Sequence, residues 1–404
     1  VPLVLPDGRA APAAPSAPAA AREVAVLAEP TRGSLAGDRA FVDAVRALDW
    51  GPLVPPPVAE RDVVLAADTP AGRVALVTGT VDEDVRGVWF TGPAGAAPDR
   101  LRASVPRNLG PGRPASLLLG GPGDATLVVV AGPDDEVEVS PRLQVGPRGT
   151  VARVYQPVPT ADGVAVAPVR TTSGGAGTSV RVLRDGTPVH RAAVALDLTV
   201  QDPAAPPPAR EPLRPVTTLP APRAVAMALA EVAVPLGVEP AELEPELLWS
   251  GRLPLEGVPG TAAVVVARSP GGGLVVTTWA AQVGPSGNGR VVPCGVYTAP
   301  GGVAVTGLVV ARVCDFSSPE TEPAEGGRWL VLTAPPEASA AAVLDGRGGL
   351  LATLALDRGG AIAPLPEGAR DVRTLDAGGR ALQEVPIAAA PVAPFGDYGS
   401  GPPR

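Results

Sequence analysis

The second half of this chain repeats apolar phrases of the first half in the same order. Three phrases recur, and they begin at Leu127, Gly163 and Val180 in the first half and at Leu330, Gly360 and Val372 in the second. The offsets of 203, 197 and 192 residues drift only as far as deletions in loops would move them. An ordered self-match of this kind is the sequence signature of a duplicated domain, so we expect two copies of one fold.

The turn-forming residues limit what each copy can be. The chain contains 49 glycines and 52 prolines in 404 residues, which excludes long helices. Short Val- and Leu-rich blocks alternate with Asp-Gly, Gly-Gly and Pro-Gly turns, a pattern typical of antiparallel strands. We therefore predict a mainly β or α+β fold, in which one short helix precedes an antiparallel sheet, sandwich or barrel in each copy.

One amphipathic helix is predicted at the start of each copy. Apolar residues recur at helical spacing from Asp38 to Trp50, where Gly51 follows. The counterpart begins at Pro222 and is expected to end near Val234, because Pro235 follows. This second segment is interrupted by charged residues and is too short to span a bilayer.

These signals divide the chain into five parts. We expect an Ala/Pro-rich stalk, a first α+β repeat, a Pro-rich linker, a second α+β repeat and a flexible tail, at residues 1–30, 31–200, 201–220, 221–390 and 391–404. The stalk is typical of a spacer left after a membrane anchor or signal sequence, so we expect any membrane attachment to come from a segment preceding Val1. The alternative is a valine start codon or an arbitrary boundary.

Composition reflects the genome and argues against one class of partner. All 33 basic residues are arginine, and isoleucine and asparagine occur twice each, as in a very high-GC bacterium such as an actinobacterium. The net charge is −8, and no segment concentrates positive charge. Since a nucleic-acid surface needs such a concentration to meet phosphates, we expect no nucleic-acid partner.

The two cysteines predict a disulfide. Cys294 and Cys314 lie in the second copy, on predicted strands that flank a turn region. A bridge between them would close a loop of about 20 residues and contribute about 3 kcal/mol in the chain-entropy model. It would also place the protein in an oxidising, extracytoplasmic compartment, as a secreted or cell-surface protein. The alternative is two reduced, buried thiols.

A search for catalytic residues finds no nucleophile and no cofactor motif. His190 is the only histidine, and no Gly-x-Ser-x-Gly elbow is present. We therefore interpret His190 as a residue on the surface of a strand. The absence of lysine removes Schiff-base chemistry and the P-loop lysine, and no His/Cys cluster offers metal ligands. We expect no catalytic residues, no cofactor and no metal site.

Carboxylates remain the one catalytic possibility. Asp68 and Thr69 begin the turn of an aspartic protease, but Pro70 replaces the required glycine and the second copy has no matching Asp. Two acidic loops, at residues 82–84 and 134–138, could bind calcium or act as an acid and a base in glycoside cleavage. Because neither loop recurs in the second copy, we interpret both as solvated turns.

Tryptophan supplies most of the large side chains. The five tryptophans are predicted core residues, since phenylalanine and tyrosine are scarce, although they could also form stacking platforms for sugars; they are Trp50, Trp89, Trp249, Trp279 and Trp329. Trp89 and Trp279 lie 190 residues apart, in register with the repeat. The phrases at residues 87–95 and 248–254 resemble stretches of uncharacterised, membrane-anchored surface proteins of high-GC actinobacteria. This resemblance implies a cell-surface location and no particular activity.

The combined prediction is a non-enzymatic extracytoplasmic protein of the cell envelope that binds or scaffolds a partner, either a protein or an envelope glycan. One alternative is a glycan hydrolase that uses paired carboxylates, which would show two acidic side chains about 5–10 Å apart in a cleft. The other alternative is a structural spacer, which would lack any concave or exposed apolar surface.

Overall fold

The chain folds as two copies of one arrangement, each a stack of one helix layer and three sheet layers. The description rests on a computed structural model, which describes residues 25–28, 30–51, 54–81, 84–110, 112–194, 211–216, 218–255, 259–283, 289–317 and 327–389. The mainly β, tandemly duplicated fold predicted from the sequence is confirmed.

The described part of the first copy contains one α-helix and fifteen strands. They are α1 (Arg39–Arg46), β1 (Arg61–Thr69), β2 (Gly72–Val81), β3 (Asp84–Gly92), β4 (Arg102–Ala103), β5 (Arg107–Asn108), β6 (Ala115–Leu119), β7 (Gly123–Val130), β8 (Glu136–Ser140), β9 (Leu143–Val145), β10 (Val151–Arg153), β11 (Gln156–Val158), β12 (Thr160–Ala161), β13 (Val164–Thr171), β14 (Ser179–Arg184) and β15 (Thr187–Ala193).

In the second copy, the described residues form one α-helix and twelve strands. They are α2 (Pro222–Leu236), β16 (Glu246–Leu253), β17 (Gly260–Arg268), β18 (Leu274–Val283), β19 (Gly289–Thr298), β20 (Val310–Asp315), β21 (Arg328–Thr333), β22 (Ala340–Asp345), β23 (Leu350–Ala355), β24 (Gly360–Pro364), β25 (Ala369–Leu375), β26 (Ala381–Pro386) and β27 (Ala388–Ala389).

Each copy begins with a meander sheet that is covered on one face by its helix. In the first copy the order is β1-β2-β3-β4 with β5 also on β3, and in the second it is β16-β17-β18-β19. An apolar core lies between α1 and its meander sheet, and a matching core lies between α2 and the second meander. Strands such as β2 are apolar almost throughout because both faces of the meander sheet are buried.

Two further sheets complete each copy. The inner sheet packs on the meander sheet, and its strand orders are β12-β13-β7-β6 and β24-β21-β20-β27. The outer sheet packs on the inner one, and its orders are β11-β8-β14-β15 and β23-β22-β25-β26. The outer strands β14 and β25 alternate between buried and more exposed residues, as expected for a sheet with one face towards solvent.

The strand registers show which residues are equivalent in the two copies. Val64 in β1 and Leu248 in β16 each form a bulge at the same place in the first hairpin. Counting from the bulge, Ala75 of β2 is equivalent to Ala263 of β17. Ala75 pairs with Phe90 and Ala263 pairs with Trp279, so Phe90 and Trp279 are equivalent. The predicted equivalence of Trp89 and Trp279 is therefore wrong by one residue. Phe90 and Trp279 face the helices, whereas Trp89 faces the inner sheet.

A buried arginine ties the meander sheet to the inner sheet in each copy. The main-chain N–H of Arg32 donates to the carbonyl of Val64 at 3.0 Å, and its guanidinium donates to the carbonyl of Ala131 at 2.6 Å. Arg214 repeats this arrangement: its N–H donates to the carbonyl of Leu248 at 3.1 Å, and its guanidinium bonds Thr333 Oγ1 at 2.7 Å.

The packed copies extend beyond the boundaries predicted for them. Val26 is fully buried in the core of the first copy, although it falls within the predicted stalk. Arg214 belongs to the second copy, although it falls within the predicted linker. Residues 1–24 of the stalk, residues 201–210 of the linker and the tail lie outside the described residues.

The helix bounds differ from the predicted ones for local reasons. The first helix begins after Asp38, whose side chain accepts from the N–H of Phe41, but it ends at Arg46. The chain then turns so that Trp50 is fully buried against the meander sheet. The second helix includes Pro235 and ends at Leu236, because Gly237 takes the left-handed conformation that closes a helix. Neither helix in the described part of the chain has the length and apolarity needed to cross a membrane.

A hairpin in the first copy packs against the second copy. Strands β9 and β10 form a two-stranded sheet within an insertion between β8 and β11, and the second copy has a tight turn at that place. Val145 packs with Val232 and Leu236 of α2, and its carbonyl accepts a hydrogen bond from Ser269 Oγ at 2.6 Å. We call this the hairpin contact, and it joins the two copies.

Candidate functional site

Two open cavities lie at one end of the first copy. Their volumes are about 840 Å³ and about 760 Å³, and both are lined by Ala71 in the turn between β1 and β2. The first cavity is bordered by the start of β7 and the end of β13 and reaches Gly237 of the second copy. The second is bordered by the loop after β3 and the turn between β6 and β7. We call these two cavities together the arginine groove.

Turn geometry brings these segments together. Gly72, the first residue of β2 after its turn with β1, has a φ of +136°, and a Cβ atom there would lie 2.4 Å from the carbonyl oxygen of Gly92. Only glycine allows the turn to approach the end of β3 so closely. The groove is therefore shaped by main-chain approach at the ends of the strands.

The charged side chains of the groove are mainly positive. Four arginines line it, Arg142 and Arg170 in the first cavity and Arg100 and Arg102 in the second. The one carboxylate that lines either cavity, among the described residues, is Asp124. Four arginines against one aspartate give the lining a charge of +3, whereas the whole chain carries −8.

The groove arginines are available to a ligand. All four are exposed. Arg170 and Asp124 lie 4.0 Å apart with side chains 89% and 99% exposed, so their attraction is weak in water. Arg142 also lies beside Gly237 at the carboxyl end of α2, where the helix dipole favours a cation.

Among the described residues, no aromatic side chain lines the groove. Its apolar part consists of small residues and prolines, among them Pro70, Pro141 and Pro168. All five tryptophans are buried, with at most 7% of their surface exposed, so the interpretation of these residues as core is confirmed. None of them is available as a stacking platform for sugars.

The predicted disulfide is present. Cys294 and Cys314 are bonded, both are fully buried, and their Cα atoms lie 4.4 Å apart. The bond joins β19 of the meander sheet to β20 of the inner sheet. In the first copy the equivalent positions are held by Ser104, whose Oγ accepts from the N–H of Trp89 at 3.1 Å, and by Leu119.

One of the acidic loops is more than a solvated turn. Asp135 is only 3% exposed, forms a two-pronged ion pair with Arg184 at 2.7 and 2.8 Å, and accepts from the N–H of Gly132 at 2.7 Å. This hydrogen bonding with Asp135 raises the pKa of Arg184. Glu138 pairs with Arg181 across neighbouring strands. The expectation that residues 134–138 form an exposed turn is therefore wrong for Asp135 and Glu138, because both carboxylates form ion pairs with arginines.

In the other acidic loop, Asp82 and Glu83 lie outside the described residues and Asp84 is exposed.

Two carboxylates that line a further cavity do not resemble a glycosidase pair. Glu242 and Glu244 line a cavity of about 390 Å³, where both are exposed and lie beside Arg142 and Arg268. The carboxylate of Glu242 accepts from the N–H of Glu239 at 2.9 Å and so caps a short helix. No group of three or more potential metal ligands occurs among the described residues.

His190 lies on β15, at the edge of the outer sheet, and is half-buried rather than fully on the surface. Burial and the positive charge of Arg113 lower the pKa of its imidazole. The ring is therefore neutral at neutral pH.

The sequence analysis predicted neither the arginines that line the groove nor the two buried arginines, Arg32 and Arg214. The groove arginines are spread over 70 residues of sequence and meet only through the turns. The two buried arginines share a sequence pattern that could have revealed them, because the phrase Glu-Pro-x-Arg ends at Arg32 in one copy and at Arg214 in the other. No known protein family and no curated protein matches this chain.

Proposed function

We propose that this protein is a non-enzymatic, extracytoplasmic binding or scaffolding protein that holds an extended acidic segment of a partner protein in the arginine groove. The observation that carries the proposal is the concentration of four exposed arginines around an open groove on an otherwise acidic chain. A complementary charge steers association and fixes the register of a bound chain.

The negative charge of the rest of the chain strengthens the preference of an acidic partner for the groove. The chain carries a net charge of −8, so an acidic partner is repelled by most of the molecule and attracted at the groove. A contact between exposed charges weakens as salt rises, because the Debye length shortens. Binding at the groove is therefore salt-dependent.

The lining favours a peptide over an envelope glycan. Sugar-binding grooves usually offer aromatic platforms, and none of the described residues that line this one is aromatic. Small apolar residues and prolines instead provide a surface on which an extended main chain with short apolar side chains can lie. The arginines at the border then meet carboxylates of the same segment.

The disulfide and the exposure of the cavity carboxylates support the remaining parts of the proposal. A buried disulfide supports residence in an oxidising compartment, since such bonds are rare in the cytosol. The carboxylates that line the cavities described above, Asp124, Glu242 and Glu244, are exposed, so these three lack the partly dry surroundings that a glycosidase acid requires. A concave, charged groove also argues against a simple spacer.

The test is fluorescence anisotropy with a labelled peptide in which glutamate alternates with alanine and proline. We expect saturable binding by the wild-type protein that weakens as sodium chloride is raised. Replacing Arg142 and Arg170 by alanine should weaken binding about tenfold, on the basis of less than 1 kcal/mol for each exposed charge contact. Replacing Arg100 and Arg102 should have a similar effect.

The control replaces two exposed arginines on the outer sheet of the second copy, Arg347 and Arg370, by alanine. This variant loses the same charge but should bind like the wild type. Equal weakening by the control would show that only net charge matters and would contradict a groove site. Tighter binding of polygalacturonate than of the peptide, lost in the groove variants, would identify a glycan as the ligand and overturn the choice of a peptide.

A further inference from the structure

The second copy contains a buried arginine that has no hydrogen-bond acceptor. Arg312, in the middle of β20, is only 8% exposed, and its Nε atom is fully buried without a partner. Its guanidinium stacks on the ring of Tyr297, with 4.2 Å between the guanidinium carbon and the ring centroid. The hydroxyl of Tyr297 is likewise buried without a partner.

Other buried arginines of this protein do have acceptors. The guanidinium of Arg214 donates to Thr333 Oγ1, to the carbonyl of Leu308 at 2.6 Å and to that of Thr306 at 3.0 Å. The guanidinium of Arg184 is paired with Asp135. No such bond or ion pair involves Arg312 in the described part of the chain, so its position differs from that of an arginine that merely braces the fold.

The duplication shows that the fold does not need an arginine here. The strand registers place Leu117 of β6 at the position of Arg312, since Leu117 faces Val128 and Arg312 faces Val331. Leu117 is buried in the apolar core between meander and inner sheets. The first copy therefore fills this position with an ordinary core side chain, and the second copy places a charge there.

Charge in such a position requires compensation. A guanidinium remains protonated at neutral pH, and although burial lowers the pKa of Arg312, it does not bring the group near neutrality. Burial also lowers the pKa of Arg214 to about 10, so this neighbouring group is charged as well. The charges that affect the pKa of Tyr297 are those of Arg312 and Arg214, and no carboxylate is among them. An unpaired buried charge is costly, and an anion would offset that cost.

We propose that Arg312 and Tyr297 form a binding site for a small oxyanion in the second copy. The anion would accept hydrogen bonds from Nε of Arg312 and from the hydroxyl of Tyr297, both of which are buried without a partner. Carboxylate, phosphate and sulfate share this chemistry. Tyr297 packs against the core between the meander and inner sheets, where a polymer is excluded.

The experiment is isothermal titration calorimetry of the full chain with sodium phosphate, sodium sulfate and sodium acetate in turn, at constant ionic strength. We expect saturable binding of at least one of these anions at a single site. Replacing Arg312 by leucine, the residue of the first copy, should abolish that binding. Replacing Tyr297 by phenylalanine removes one donor and should weaken binding about fivefold.

Two controls separate this site from general charge effects and from misfolding. Arg347→Ala removes an exposed arginine and should leave anion binding unchanged. Arg312→Gln keeps a polar side chain without the charge and should also lose binding, so the conclusion does not depend on the leucine variant folding. If none of the three anions binds saturably to the wild type, or if Arg312→Leu binds them equally well, the proposal is wrong. Because the arginine groove lies in the first copy, its peptide binding is an independent outcome.

Discussion

A buried ion pair is more sensitive to the loss of one partner than an exposed one. The side chains of Asp135 and Arg184 are 2% and 7% exposed, whereas those of Arg373 and Glu384, which are also paired, are 41% and 48% exposed. Removing one partner of the buried pair leaves a charge without water or a counter-ion. In the exposed pair, solvent replaces the missing partner at little cost.

We expect Asp135→Asn to lower the free energy of unfolding by about 3 kcal/mol, because Arg184 would remain buried without its counter-charge. Glu136→Gln is the matched control, since the neighbouring Glu136 is exposed, and it should change stability by less than about 0.5 kcal/mol. Urea denaturation monitored by tryptophan fluorescence measures both variants. Equal stabilities for the two would contradict the assignment of Asp135 as a structural carboxylate.

The imidazole of His190 provides a pH-dependent prediction. Because the pKa is lowered in the folded state, the unfolded chain binds a proton first as the pH falls below about 6.5. The free energy of unfolding should therefore decrease from about pH 6.5 down to the folded-state pKa, and His190→Gln should remove this contribution. The chain has a single histidine, so NMR titration of its ring proton in tag-free protein gives the folded pKa directly. A midpoint above 6.5 would reverse the expected sign.

At the level of secondary-structure elements, each copy must hold its meander sheet against its inner sheet. Arg32 does this in the first copy and Arg214 in the second, and the second copy adds the bond between Cys294 and Cys314. The first copy manages with Ser104 and Leu119 at the cysteine positions. The disulfide therefore strengthens a layer contact that the fold also makes without it.

Replacing both cysteines by alanine should lower the free energy of unfolding by about 3 kcal/mol, since the closed loop spans 20 residues. The pair Cys294→Ser with Cys314→Leu introduces the residues of the first copy and should recover part of this loss, because leucine refills the buried space. Chemical denaturation of the oxidised wild type and both variants tests this expectation. Identical stability of the alanine variant and the oxidised wild type would contradict it.

The strand-rich architecture was predictable because a doubly buried sheet leaves continuous apolar runs, as in β2 and β7, and because these runs recur in order. The ends of elements were less predictable. Pro235 lies within the last turn of α2 because the following Gly237 determines where the helix closes. The register of Trp279 was misjudged by one residue because a one-residue shift is invisible in an offset that already drifts.

The site was not predictable in the same way. Arg142 and Arg170 have no local pattern that distinguishes them from other exposed arginines, and only the arrangement of turns brings them together. Arg312 occurs in an apolar strand, where the sequence of one copy alone gives no reason to expect an unpaired charge. Comparison with Leu117 would have revealed the difference, but only once the registers of β6 and β20 were known.

At the scale of the whole molecule, the hairpin contact makes the two copies one unit. Leu143 and Val145 are buried against α2 and β18, and Thr298 Oγ1 donates to the carbonyl of Gly149 at 2.7 Å. A Cβ atom on Gly149 would lie 2.4 Å from the carbonyl oxygen of Ala299. Close main-chain approach of this kind fixes the orientation of the copies, which in turn positions Gly237 beside the groove.

Val145→Asp should uncouple the copies, because it places an unpaired carboxylate in the apolar hairpin contact. We expect differential scanning calorimetry to resolve two unfolding transitions in this variant and one in the wild type. Gln144→Asp is the matched control, since Gln144 is the exposed neighbour on the same strand. A single, unshifted transition for Val145→Asp would show that the copies are coupled elsewhere.

The hairpin contact also limits how many such units can associate. The hairpin belongs to the first copy alone, since β22 and β23 of the second copy are joined by a turn at residues 346–349. The surface that receives it depends on α2, which has 15 residues, whereas α1 has only eight. The hairpin and the surface that receives it therefore bind each other within one chain. Among the described residues, this contact leaves neither a second hairpin nor a second receiving surface for a third unit, in contrast to repeat proteins whose every module presents the same faces.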